Sequence, residues 1–226
     1  ESMNNIRRIT AENMSNAWQT IPHVTQFDEA DVTGLEEFRK GNQEKMQKDG
    51  GKLTVTVLLL RIIGFALQKF PRFNASIDLK NKEIIYKHYY HVGIAVDTKR
   101  GLLVPVIKDV NQKSIIELSA EVDELAEKAR EKKISPDDLE GGNFTISNLG
   151  GIGGIAFTPI VYPPQVAILG VSRARYKPVY KGDELVKRLM IPLSLSYDHR
   201  VIDGAEGARF LKWITDVIED PYAILK

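Results

Sequence analysis

Along the chain, apolar runs at helical spacing are interspersed irregularly with runs that read as strands. The stretch from Asn4 to Thr20 is weakly helical and is ended by Pro22, after which His23 to Asp28 reads as a short strand. Thr33-Gly34-Leu35-Glu36 has the spacing of a capping box and predicts a helix to about Lys48, where Asp49-Gly50-Gly51 stops it. Thr54 caps the next predicted helix, whose apolar residues wrap most of its circumference, the mark of a buried helix. Ile84 to Asp97 and Gly101 to Lys108 read as two strands joined by a hairpin turn at Thr98-Lys99-Arg100-Gly101. Ser114-Ile115-Ile116-Glu117 is a second capping box, opening a helix with Leu118, Val122, Leu125 and Ala129 on one face and ending before Pro136. Strands are predicted over 143–148, 166–172 and 187–197, and a last helix begins near Asp203 with Leu211, Ile214 and Ile218 on one face. Hairpin-linked strands without regular strand–helix alternation favour a mixed α/β sandwich over a doubly wound sheet.

Composition narrows this picture. The chain has 226 residues, 43% hydrophobic and 27% charged, which is ordinary globular usage with no repeat or low-complexity linker, so residues 1–226 read as one domain. Thirty-one Lys and Arg against 30 Asp and Glu leave a formal charge of +1, so no basic excess points to nucleic acid or an anionic membrane. Cysteine is absent, which excludes disulfides, a thiolate nucleophile and Cys-ligated metal, and is in keeping with a reducing compartment. The longest mostly apolar run, 53–67, is interrupted by Arg61 and is too short to span a bilayer. Glu1-Ser2-Met3 resembles a cloning scar rather than a signal peptide, so the chain reads as cut from something longer.

Candidate chemistry is sparse. Gly150-Gly151-Ile152-Gly153-Gly154 lacks the Lys-Ser/Thr pair of a phosphate loop and precedes no helix start, so it reads as a turn, as does Gly50-Gly51. His88 and His91, three apart on a predicted strand, would face opposite sides, and no metal site is expected. His23 reads as a packed structural residue. His199 stands where a strand ends and a helix is about to begin, among Ser194, Ser196, Tyr197, Asp198 and Arg200, a common location for a site. Spacing alone leaves it balanced between a satisfied loop histidine and a functional one. Asp203 with Glu206 has N-cap spacing, and Ser147, sharing a strand face with Thr145, reads from spacing as an ordinary strand serine.

Asp198-His199-Arg200-Val201-Ile202-Asp203-Gly204 resembles the active-site signature of the dihydrolipoamide acyltransferases, the core enzymes of 2-oxo acid dehydrogenase complexes. The blocks 22–25, 101–107, 144–148 and 166–170 resemble family segments in the family's order, so the likeness covers nearly the whole chain. The resemblance implies a chloramphenicol-acetyltransferase-like two-layer α/β sandwich with a mixed sheet. It also implies homotrimers with active sites between neighbours, assembling into a larger hollow core. The reaction it implies is acyl transfer between a dihydrolipoyl thiol and coenzyme A, both substrates, with no metal. His199 would be the base, Ser147 from the neighbouring subunit the oxyanion donor, Asp203 a supporting residue, and Arg39 a coenzyme A contact. A thiol is only about 3% ionised at pH 7, so a nearby base is valuable, and a neutral imidazole suits that task. The segment 154–161 and the block 22–28 resemble the acetyl branch, which serves pyruvate, with succinyl and branched-chain transfer as alternatives. A non-catalytic structural subunit is expected to lack the histidine, and antibiotic O-acetyltransferases of the same fold usually carry His-His where Asp198-His199 stands here. The family's lipoyl and peripheral-subunit-binding domains are not recognisable in this sequence. Pyruvate dehydrogenase and dihydrolipoamide dehydrogenase would therefore be reached through domains outside it. The expected setting is a bacterial cytoplasm, with a mitochondrial matrix as the alternative.

Overall fold

A computed structural model describes residues 2–48, 50–99, 101–220 and 222. Asp49 and Arg100, which the sequence places in turns, lie outside the described residues. Helix α1 (Asn5–Thr20) is capped by the Asn4 side chain, and β1 (His23–Asp31) follows at once. Helix α2 (Thr33–Lys48) begins where expected, but the Thr33–Glu36 capping box does not form. The Thr33 hydroxyl instead accepts from the Leu189 amide at 2.9 Å, and the Glu36 carboxylate turns to Arg39 at 2.7 Å.

Helix α3 (Val55–Lys69), capped by Thr54, buries Val57, Leu58, Leu59, Leu60, Ile62 and Ile63, as its all-round apolar pattern required. A short 3-10 turn leads into β2 (Ala75–Asp78) and β3 (Glu83–Tyr86), an isolated hairpin. The single strand expected over 84–97 is in fact three: β3, then β4 (Val92–Ile94) and β5 (Val96–Thr98), in three different sheets. Side-chain amides cause the first break. Asn74 donates to the carbonyls of Lys87 and Tyr89 at 2.8 and 3.1 Å, and Asn143 also donates to Tyr89, so the chain turns there instead of extending a ladder. Pro105 divides the next run into β6 (Gly101–Leu103), which pairs with β5, and β7 (Val106–Ile107).

Helix α4 (Ile115–Glu131) has both capping-box bonds between Ser114 and Glu117, and Leu118, Leu125 and Ala129 are buried. The remaining strands are β8 (Phe144–Asn148), β9 (Ala167–Val171), β10 (Arg175–Lys181) and the 15-residue β11 (Glu184–Asp198), followed by helix α5 (Gly204–Glu219). The sequence did not announce β10, whose apolar positions are interrupted by charges and by Pro178. The main sheet runs β1-β11-β9-β8-β4-β7, parallel only between β4, β8 and β9, with β10 extending β11 as a two-stranded arm.

Side-chain alternation gives this sheet two unlike faces. Ala167, Leu169, Val171, Leu193, Leu195, Tyr197, Phe144 and Ile146 pack with α3 and α5 in the main core. Their neighbours Thr145, Ser147, Ser194, Ser196 and Asp198 point the other way, where Ile168 meets Ile21 and Val161 in a small second cluster. One contact locks α5 to β11: a Cβ added at Gly207 would lie 2.6 Å from the Tyr197 ring. Alanine normally favours a helix over glycine by about 1 kcal/mol. At Gly207 the sign should reverse, and Gly207→Ala should destabilise by about 1–3 kcal/mol through overpacking. A lowered thermal midpoint would show it, whereas a raised one would contradict the packing.

His88 and His91 lie in the bend before β4, not on a strand. The His91 Nδ1 accepts from the Asp109 amide at 3.0 Å, a bond that only an unprotonated nitrogen can make. Burial holds the His91 imidazole below its ordinary value, aided by Lys108 and Lys113 and opposed by the Asp109 carboxylate. Below about pH 6.5 the unfolded chain therefore binds the additional proton, so this contribution to stability is full above that value and lost as pH falls. Denaturant titrations between neutral and mildly acidic pH should show the loss. His91→Asn, whose carbonyl can take the same bond without titrating, should flatten it.

Candidate functional site

The end of β11 presents His199 on a rigid turn. Asp198 donates its amide to the Val166 carbonyl, and its own carbonyl accepts from the amides of Val201 and Ile202 at 3.0 Å each. Between these anchors the His199 amide donates to the Pro22 carbonyl at 3.1 Å. The imidazole itself is exposed, and among the described residues no hydrogen bond holds it; the Tyr197 ring lies 6.2 Å away.

Asp203 is the N-cap of α5. Its carboxylate accepts from the Glu206 amide at 2.8 Å, and chiefly that bond holds it below the usual carboxylate range. The Glu206 side chain returns to the Asp203 amide and pairs with Arg72 at 2.8 Å. The Asp203 carboxylate thus faces the helix terminus, an arrangement that capping alone explains.

Ser147 is at the other end of the sheet. The ladders align it with Gly170 on β9, and Gly170 with Ser194 on β11. His199 is five residues beyond Ser194, about 17 Å along the strand and two strand spacings of about 4.8 Å across. No serine rotamer bridges that gap, so one chain does not bring the hydroxyl and the imidazole together. Asn148, next to Ser147, donates to the Thr56 hydroxyl at 3.1 Å and accepts from the Gly150 amide at 2.8 Å, tying this end of β8 to α3 and to the glycine-rich turn. Arg39 lies towards the same end. Its guanidinium forks onto Glu36 at 2.7 and 2.9 Å and reaches the Leu53 carbonyl, next to the Thr54 cap, at 3.3 Å. Three of its five N–H donors are thereby used, and two remain.

The glycine-rich segment is the turn that was expected. Arg173 donates to the carbonyls of Gly150, Gly151 and Ile152 at 3.0–3.2 Å, so oxygens converge there on a cation instead of amides on a phosphate. His23 is structural: its Nδ1 is 2.9 Å from the Ile21 carbonyl, and its Nε2 accepts from the Val161 amide at 2.9 Å, which together specify the neutral ring protonated on Nδ1. Among the described residues no group of three or more His, Asp or Glu converges on a common point, and no helix is long and apolar enough to cross a membrane.

Sequence reasoning missed the pair that flanks the histidine. Asp198 is only 1% exposed and receives the Arg200 guanidinium on both oxygens, Nη2 to Oδ2 at 2.6 Å and Nε to Oδ1 at 2.9 Å, together with the Arg200 amide. The available signal was two opposite charges two residues apart across His199, one of them on an otherwise uncharged strand end. Chemically, the site offers a proton acceptor on a fixed turn at one end of the sheet. At the other end it offers a hydroxyl with no hydrogen-bond partner among the described residues, and, towards the same end, an arginine with spare donors.

Residues 1–226 match the family described as 2-oxoacid dehydrogenases acyltransferase (catalytic domain). The chain is 53% identical over 223 residues to the dihydrolipoyllysine-residue acetyltransferase component of the pyruvate dehydrogenase complex of Azotobacter vinelandii, covering 99% of this chain and 35% of that one. It spans about a third to just over half of the length of such curated relatives. Among solved structures, the A. vinelandii dihydrolipoamide acetyltransferase superposes with a TM-score of 0.98 at 52% identity, covering 100% of this chain and 93% of that chain. That structure was determined to investigate the role of a serine, a histidine and an asparagine in that enzyme's catalytic mechanism. A structure of the cubic core of the pyruvate dehydrogenase multienzyme complex gives the same TM-score, identity and coverages. A chloramphenicol acetyltransferase, 15% identical with a TM-score of 0.59 over 95% of this chain and 94% of its own, establishes the shared α/β fold. The chain belongs to the acyltransferase catalytic-domain family of the 2-oxoacid dehydrogenases.

Proposed function

We propose that residues 1–226 form the catalytic domain of a dihydrolipoyllysine-residue acetyltransferase, moving acetyl between a dihydrolipoyl thiol and coenzyme A in a pyruvate dehydrogenase complex. One observation carries the reading. The serine, histidine and asparagine singled out in the A. vinelandii enzyme are separated by 52 and 4 residues, the spacings of Ser147, His199 and Asp203 here. An asparagine in the last position suits an N-cap, where Asn and Asp rank equally, and argues against an essential negative charge at Asp203.

In this reading His199 takes the proton of the coenzyme A thiol, and the thiolate attacks the carbonyl of the acetyl-dihydrolipoyl thioester. The hydroxyl of Ser147 of the partner subunit donates to the oxyanion, an interaction worth roughly 2.7–4 kcal/mol at other oxyanion sites. Collapse expels the dihydrolipoyl thiolate, which recovers the proton from the imidazolium. Arg39, towards the Ser147 end with two donors unspent, would meet an anionic part of coenzyme A.

The separation of Ser147 from His199 supports a site completed between subunits. A ring of three copies suits it, because the corners of a cubic core lie on threefold axes. The larger hollow core, the pyruvate dehydrogenase and dihydrolipoamide dehydrogenase partners reached through other domains, and a bacterial cytoplasmic setting belong to the same proposal; the curated relative named above, from Azotobacter vinelandii, is bacterial.

Transfer to free dihydrolipoamide should favour acetyl-CoA over succinyl-CoA in kcat/KM and should fall by about 10²- to 10⁴-fold in His199→Ala. A preference for succinyl would move the protein to a sister complex, and full activity in the variant would remove His199 from the chemistry. The shared site makes a sharper prediction. His199→Ala and Ser147→Ala proteins, each impaired alone, should regain activity when dissociated and reassembled together, because some interfaces then hold both intact residues. Activity no higher than the mean of the two separate proteins would place both groups in one chain's site.

A further inference from the structure

We propose that the Asp198–Arg200 ion pair is the positioning element of His199, doing through the backbone what a second side chain does for the histidine of a hydrolytic triad. The inference rests on the acyl-transfer reading above. A catalytic base must be held in place, commonly by a group that bonds its far nitrogen. His199 has no such partner among the described residues: its ring is unbonded, and the nearest downstream carboxylate, Asp203, is engaged as the α5 cap. What is fixed is the chain on either side. Asp198 is buried on the polar face of the sheet, and its carboxylate is satisfied by the guanidinium and amide of Arg200, the residue immediately beyond His199. Its backbone closes the turn with Val166, Val201 and Ile202, and Pro22 holds the His199 amide. The side-chain fork therefore spans His199 from one neighbour to the other.

Geometry and charge both bear on function here. The Arg200 side chain is 25% exposed while Asp198 is buried, so removing the guanidinium leaves a buried carboxylate without its counter-ion. That carboxylate would draw in water or turn outward, and either response rotates the peptide planes that carry His199. Displacement of a reacting group by about 1 Å can cost on the order of 10²-fold in rate without loss of substrate binding.

The test is steady-state acetyl transfer by assembled Arg200→Ala and Arg200→Lys proteins, normalised to assembled material by sedimentation. Arg200→Ala should lose about 10²-fold in kcat with KM for acetyl-CoA changed by less than about twofold. Guanidinium chloride at millimolar, non-denaturing concentration should restore part of the kcat of Arg200→Ala, while an equal ionic strength of sodium chloride should not. It should leave His199→Ala inactive. Arg200→Lys, with the charge but not the fork, should fall between Arg200→Ala and the parent. Normal kcat per assembled Arg200→Ala, or a loss that guanidinium leaves untouched, would overturn the proposal. Should Arg200→Ala fail to assemble, Arg200→Lys decides alone: reduced kcat at unchanged KM supports positioning, and unchanged kcat overturns it. An inactive parent protein would instead overturn the acyl-transfer reading and this inference with it.

Discussion

The register of β11 is the constraint from which the rest of the architecture follows. This strand pairs with β1 from Met190 to Asp198, with β10 from Glu184 to Met190 and with β9 from Leu193 to Tyr197. A slip of one residue would exchange its faces, placing Ser194, Ser196 and Asp198 in the helical core and Leu193, Leu195 and Tyr197 on the polar side. The cost would be that of burying unpaired polar groups while exposing large apolar ones. Pro192 occupies the point where β11 changes neighbour, between the last residue paired to β10 and the first paired to β9. A proline is tolerated there because no continuous ladder on that side requires its missing N–H, and its carbonyl still accepts from the Ser172 amide at 3.0 Å.

A strand so fixed keeps two groups of polar residues at separate ends of the sheet. At one lie His199, the Asp198–Arg200 pair and the α5 cap. At the other lie Ser147, the Asn148–Thr56 bond and the Arg39 fork, which meet at the start of α3. Each group is held by bonds local to its own end, and the rigid sheet keeps the two ends apart. Under the acyl-transfer reading proposed above, these are two half-sites held apart by the sheet. On that reading, chemistry needing both would take one from each of two copies, and assembly would be a condition of the site itself.

The fold was legible wherever the deciding interaction was local. The caps at Thr54, Ser114–Glu117 and Asp203–Glu206 stand within three residues of their partners, and all three helices start where those residues lie. The same pattern misled at Thr33, because Leu189, distant in sequence, claims the hydroxyl. The run 84–97 failed for a related reason: its turn is imposed by the amides of Asn74 and Asn143, one before the run and one well after it. Strand β10 and the first three residues of β11 were illegible because alternating Lys, Arg and Tyr resemble solvated loop, and their pairing is visible only in register. For the site, spacing alone left His199 in balance and made Ser147 ordinary. Family likeness alone suggested roles for them, and the sheet supplied the distance between them.

The turn that carries His199 also shows why the two local charges near it do different work. Asp203 is exposed, caps a helix and accepts from backbone amides, a duty an uncharged asparagine performs equally well. Asp198 is buried, and its two oxygens meet the fork of Arg200 and the amide of the same residue. A carboxamide could accept some of those bonds but would present an NH₂ group to a guanidinium, donor against donor. The charge is therefore dispensable at the position four residues past the histidine and required at the one immediately before it. That ordering follows from burial and from which atoms donate, and it is independent of any role either carboxylate has in the reaction.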